Sequence, residues 1–122
     1  MIQTAQALQD FFSSFGIPAY VTGNVPDIAA MPYITYDLTN PEPLAHAMFH
    51  ASVWYRDTSV IAVSEKCDEI EAAIGNGLSI PTESGVIYLF RDRNTPFAQL
   101  QNDPNPQTKR MYLTMVINCY SN

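Results

Sequence analysis

Two histidines, His46 and His50, and two cysteines, Cys67 and Cys119, are the residues of this chain best suited to metal or nucleophile chemistry. Four-residue spacing brings two histidines onto one metal when both ride a helix, one turn apart. The surrounding run AMFHASVWY alternates like a strand, where positions four apart share a face but stand about 13 Å from each other. His46 also falls at a loop edge, so the pair reads as exposed or interface residues rather than ligands. A thiol nucleophile needs a thiolate beside a base. Cys67 and Cys119 both fall on apolar faces, where a free cysteine behaves as a small hydrophobe. Glu65, Asp68 and Glu69 cluster on the outer side of a helical segment. Two carboxylates perform acid–base work in a cleft that separates their pKa values, and an open helix face offers none. H-E-x-x-H, C-x-x-C, P-loop and G-x-S-x-G patterns do not occur in the sequence. The chain is therefore expected to have no catalytic residue, no metal and no cofactor.

The remaining charge cluster is Arg91-Asp92-Arg93, which with Lys109-Arg110 brackets residues 92–108. As a phosphate site it would be small and flanked by acid, so ion pairs to the acidic surface of a neighbouring subunit suit it better. The bracketed segment DRNTPFAQLQNDPNPQT carries Pro96, Pro104 and Pro106 and little periodicity, so it reads as a mobile loop. Its apolar members Phe97 and Leu100, with Arg93, Lys109 and Arg110, are the candidate partner-binding residues.

The elements that must position these residues centre on Ala47–Gly77. Alternation puts Phe49, Ala51, Val53 and Tyr55 on one face of a strand and Met48, His50, Ser52 and Trp54 on the other. The second face is only partly polar, and it is the candidate oligomer interface. An amphipathic helix follows, with Val60, Val63, Cys67, Ile70 and Ile74 as its stripe. Asp57-Thr58-Ser59 offers N-caps, and Gly75-Asn76-Gly77 a stop. Upstream, residues 4–15 predict a helix packing Ala5, Leu8, Phe11, Phe12 and Phe15. A short extended piece at 19–22 and a strand at 33–38 come next, then a break at Asn40-Pro41-Glu42-Pro43. Downstream, Ser79–Ser84 reads as a connector, Gly85–Arg91 as a strand and Lys109–Tyr120 as the longest strand. The expected fold is a single α+β domain over 1–122, with a mainly antiparallel sheet of four to five strands and two helices packed on one face.

Composition sets limits on partners. A hydrophobic share of 47% supports a real core, and a charged share of 15% is low for a small domain. Acidic residues number 12 against 6 basic, for a net charge of −6, and no Lys or Arg precedes Arg56. A basic patch for nucleic acid is missing, and no apolar run is long enough to span a membrane. With no leader visible at the N-terminus, synthesis in a reducing cytoplasm is the expectation.

The order of elements resembles that of the small tail-terminator and tail-completion (head–tail joining) proteins of long-tailed bacteriophages. The resemblance lies in the leading amphipathic helix, the YITY strand, the strand–turn–helix HASVWYRDTSVIAVSEKCDEIEAAI, the later strand, the long loop and the aliphatic C-terminal strand. It implies a non-enzymatic virion assembly protein, a homo-oligomer that is commonly a hexameric ring. Such a ring sits at the head-proximal end of the tail, with the tail tube protein and the head–tail connector protein as partners. If DNA passes through the ring, the acidic face of Glu65, Asp68 and Glu69 is a candidate wall of that channel. A head–tail connector or minor capsid protein shares the pattern, and a small ligand-binding α+β domain or enzyme is the alternative class.

Overall fold

The structure, a computed structural model, describes residues 2–39 and 46–121; the break expected at 40–43 lies outside them. The element order is α1 (Ile2–Ser13), β1 (Ala19–Val21), β2 (Tyr33–Tyr36), β3 (Ala47–Arg56), α2 (Ile61–Ile74), β4 (Leu78–Pro81), β5 (Gly85–Arg91), β6 (Ala98–Gln101) and β7 (Thr108–Ser121). The α+β class is as expected, but the sheet is larger and mixed. It has seven strands in the order β1-β2-β3-β7-β5-β4, with β6 also on β7. Four to five mainly antiparallel strands were expected. The shortfall lies in β4, read as a connector, β6, read as loop, and β1, read only as a short extended piece. Each is three or four residues long and without the β-branched and aromatic run that marks β2. β1 also pairs parallel to β2, with Ala19 beside Ile34 and Val21 beside Tyr36. Residues 22–32 form the crossover that this direction requires.

The register assigns every side chain to a face. Phe49 stands opposite Met115 and Ala51 opposite Leu113, Tyr36 opposite Ala51, and Leu89 opposite Ile117. These residues form one buried core with Leu8 and Phe12 of α1 and with Val63, Cys67, Ile70 and Ile74 of α2. The Phe12 ring stacks on Tyr36 at 5.1 Å and on Phe49 at 5.9 Å between centroids. Both helices thus cover the same side of the sheet.

Helix α1 is rotated from the expected face. Thr4, Ala7, Leu8 and Phe12 are its buried residues, while Phe11 and Phe15 pack edge-on to each other at 5.2 Å as a half-buried shoulder. At the start of α2 the N-cap is Val60, which makes no side-chain cap. The expected caps act one step earlier: Asp57 Oδ1 accepts from the Ser59 N–H (3.1 Å), and Ser59 Oγ accepts from the Ile61 N–H (3.1 Å). They shape the turn that leads into the helix, and Val60 is left exposed instead of joining the stripe. The C-terminal stop is as read. Gly75 has φ +55° while its N–H donates to Glu71 O at 2.9 Å, a left-handed position that glycine occupies without a Cβ penalty.

Residues 92–108, read as one loop, are divided. Arg91 pairs with Met115 and Ala98 with Leu113, so β5 and β6 are one strand interrupted opposite Thr114. The Thr114 N–H donates across the gap to Phe97 O at 2.9 Å. Residues 92–97 bulge from this strand, and residues 102–107 form the turn of a β6–β7 hairpin. Prolines 104 and 106 sit in that turn, where they remove no ladder hydrogen bond.

Candidate interaction face

The sheet side opposite the helices carries the residues expected to form an interface. Register brings Tyr33 beside Trp54 and Thr35 beside Ser52. On the other edge of β3, Trp54 meets Arg110, Ser52 meets Tyr112, His50 meets Thr114 and Met48 meets Val116. The result is a continuous ladder of rings across β1, β2, β3 and β7. Tyr20 packs edge-on to Tyr33 at 5.8 Å, and Tyr33 lies 6.2 Å from Trp54. The Arg110 guanidinium carbon sits 4.7 Å from the Trp54 ring centre and 5.6 Å from that of Tyr112. His50 closes the run by stacking on Tyr112 at 4.9 Å.

Short hydroxyl side chains hold these rings in place. Trp54 Nε1 donates to Thr35 Oγ1 at 2.9 Å, and Arg110 Nε donates to Ser52 Oγ at 3.0 Å. Thr35, Ser52 and Thr114 are buried although no helix covers them: the larger rings lie over them. Aromatic rings and arginine are the residue types that protein interfaces favour, and here they stand in one row on side-chain hydrogen bonds. Toward β5 the face continues into an open depression of about 680 Å³ between Tyr88, Phe90, Asn118 and Tyr120.

The expected interface residues thus share one face but differ in role. Met48 is 47% exposed, Trp54 and His50 are half-buried ring platforms, and Ser52, buried at 3%, is a positioning group beneath them. The expected partner-binding set is not a single site. Arg110 belongs to the ring ladder. Lys109 stands opposite Tyr55 on the helix side, its Nζ donating to Pro106 O at 2.8 Å. Arg93 is exposed on the bulge. Phe97 is part of the core, and Leu100 is exposed across from Met111 on the helix side. Sequence reading missed Tyr20, Tyr33, Tyr112 and the placement of Arg110. Their signal was present in the amphipathic alternation of 112–120 and 33–37, but not the pairing that joins them.

Glu65, Asp68 and Glu69 are exposed on α2. Lys66 Nζ bridges Glu69 at 2.9 Å and Phe15 O at 2.7 Å, and Glu71 pairs with Arg91 at 3.3 Å. Cys67 is on the opposite side of the helix, under the sheet. Burial, with smaller contributions from Asp68 and Glu71, pushes its thiol up to about 12. Burial also raises the Cys119 thiol, which stands opposite Ile87 on the helix side of the sheet. Neither thiol meets His50, which lies on the other side. His46 sets its ring edge against Phe90 at 5.9 Å. Among the described residues no helix is long and apolar enough to cross a membrane.

One side of the sheet is thus filled by helices, and the other is laid out in rings. No family model and no curated protein matches the sequence. Among solved structures, the chain is similar to one from the virion of a native gene transfer agent (GTA) particle. The TM-score is 0.62 at 16% sequence identity, covering 98% of this chain and 98% of that one. At that identity the likeness is one of fold.

Proposed function

We propose that this chain is a structural subunit of a phage-like virion, a tail-terminator-like protein that forms a ring at the head-proximal end of the tail. The ring, six-fold by the family resemblance, caps the tail tube, stops its growth and offers a surface to the head connector. The observation that carries this reading is the end-to-end likeness in fold to a virion chain, with 98% of each chain covered. The ring-lined outer face supports it, since a subunit that meets copies and partners must keep apolar surface available. The partners on this reading are further copies of the chain, the tube protein and the connector protein. The acidic side of α2, with Glu65, Asp68 and Glu69, faces the DNA passage. A negative wall keeps a duplex from adhering, whereas a basic one would hold phosphate at every contact.

The test is deletion of the gene from the phage or prophage that carries it, followed by electron microscopy of the particles. The expected result is tail tubes of irregular, excessive length and heads without tails, restored by the wild-type chain in trans. Tails of normal length that remain unjoined would assign the chain to the connector instead. Normal infectious particles would refute a structural role in the tail.

A further inference from the structure

The turn between β1 and β2 ends in an apolar residue that the fold leaves in water. Residues Pro26–Ala29 are closed by an Ala29 N–H bond to Pro26 O at 2.9 Å, and Ile28 at its tip is 95% exposed. Asp27 beside it is exposed as well, and no cation of the described residues lies within ion-pair distance of it. A single exposed aliphatic is ordinary on a protein surface. What gives this one meaning is a complementary feature elsewhere on the same chain.

That feature is Arg110. Its guanidinium is wedged between the Trp54 and Tyr112 rings, and its Nε is bonded to Ser52 Oγ. Among the described residues it has no carboxylate partner, although the chain carries twice as many acids as bases. A guanidinium fixed by its Nε keeps its terminal N–H fork for a carboxylate arriving from outside. The rings beside it form apolar ground for a branched aliphatic next to that carboxylate.

We propose that the Asp27-Ile28 turn of one copy docks on the Arg110–Trp54–Tyr112 platform of the next. Asp27 supplies the carboxylate to the guanidinium, and Ile28 lies on the rings. The contact is between copies because, within one chain, the turn leaves the β1 edge whereas Arg110 lies on β7, beyond β2 and β3. Turn and platform are different patches, so the contact is heterologous and propagates from copy to copy until it closes. This inference rests on the ring reading and names the two surfaces that would build it.

The full-length chain is compared with Asp27→Arg, Arg110→Asp and the double variant by mass photometry and sedimentation. Each single variant is expected to raise the concentration needed for assembly about tenfold or more, because it sets like charges together. The double variant should recover most of that loss. Asp27→Arg lies on an exposed turn, so folding is not at issue there, and circular dichroism checks Arg110→Asp. In parallel, an Ile28→Cys/Gln99→Cys variant, with Gln99 beside Tyr112, should give a ladder of disulfide-linked multimers on oxidation. Assembly that is indifferent to all these changes overturns the docking and leaves the ring standing. Variants that assemble normally but no longer join tails would mean that the platform takes the tube protein, which also overturns it. A wild-type chain that gives no copy-to-copy cross-link with glutaraldehyde even inside particles removes the ring and the docking together.

Discussion

Phe97 fills the core at the point where the β5–β6 strand is interrupted, and only 6% of it is exposed. The bulge ahead of it is held by Thr95 Oγ1 donating to Asp92 Oδ2 at 2.6 Å, and Phe97 anchors its far end. Truncating a buried phenylalanine removes its transfer energy and leaves a cavity, at a cost of about 3–5 kcal/mol. Phe97→Ala is therefore expected to lower the urea midpoint strongly, and Leu100→Ala to change stability by no more than about 0.5 kcal/mol. Equal, small effects in urea unfolding would mean that Phe97 is dispensable to the core. Tyr36 is another buried ring with a polar duty: its hydroxyl donates to Gln9 Oε1. Burial, and secondarily Asp10, raises its pKa.

At the scale of the element, α2 separates two functions by face. Its stripe of Val63, Cys67, Ile70 and Ile74 is buried, and its acids point away from the sheet. Lys66, two places from Asp68 in sequence, pairs with Glu69 and donates to Phe15 O just past α1. This ties α2 to the chain after α1 and leaves Glu65 and Asp68 without an ion pair among the described residues. Lys66 is largely covered while Glu69 is open to water. Changing Glu65, Asp68 and Glu69 together to Lys should leave the fold and the ring intact. The altered ring should retain duplex DNA in a salt-sensitive manner and lower infectivity in a plaque assay. Fully infectious particles carrying the triple variant would show that this side of α2 simply faces water.

Across the whole molecule, a single core links both helices to β2, β3, β5 and β7, and β3 and β7 are the central strands shared by core and outer face. Trp54, the one tryptophan, reports on the outer face, whereas helix content reports on the inner layer. Because both layers share the same two strands, they should unfold together. Denaturation of the monomer followed by Trp54 fluorescence and by far-UV circular dichroism is expected to give coincident midpoints. Separate transitions would mean that the outer ladder has a stability of its own, detached from the helix-packed layer.

The amino-acid sequence by itself determined the parts that depend on local period. Helix α2, its glycine stop, the strands at 47–55, 85–91 and 109–120 and the division of each into two faces all follow from alternation or from three-and-four spacing. The likeness to virion assembly proteins also came from that order of elements. Only the tertiary structure decided the parallel β1–β2 pair, the capture of residues 98–101 as a strand, the burial of Phe97 and the Arg110 platform. Gln-Leu-Gln has no strand propensity of its own and pairs because β7 presents an edge. Arg110 and Ser52 are 58 residues apart in the chain and 3.0 Å apart in space. Period states which face a side chain takes, but its neighbours on that face are set by strand register, which no local stretch of sequence contains.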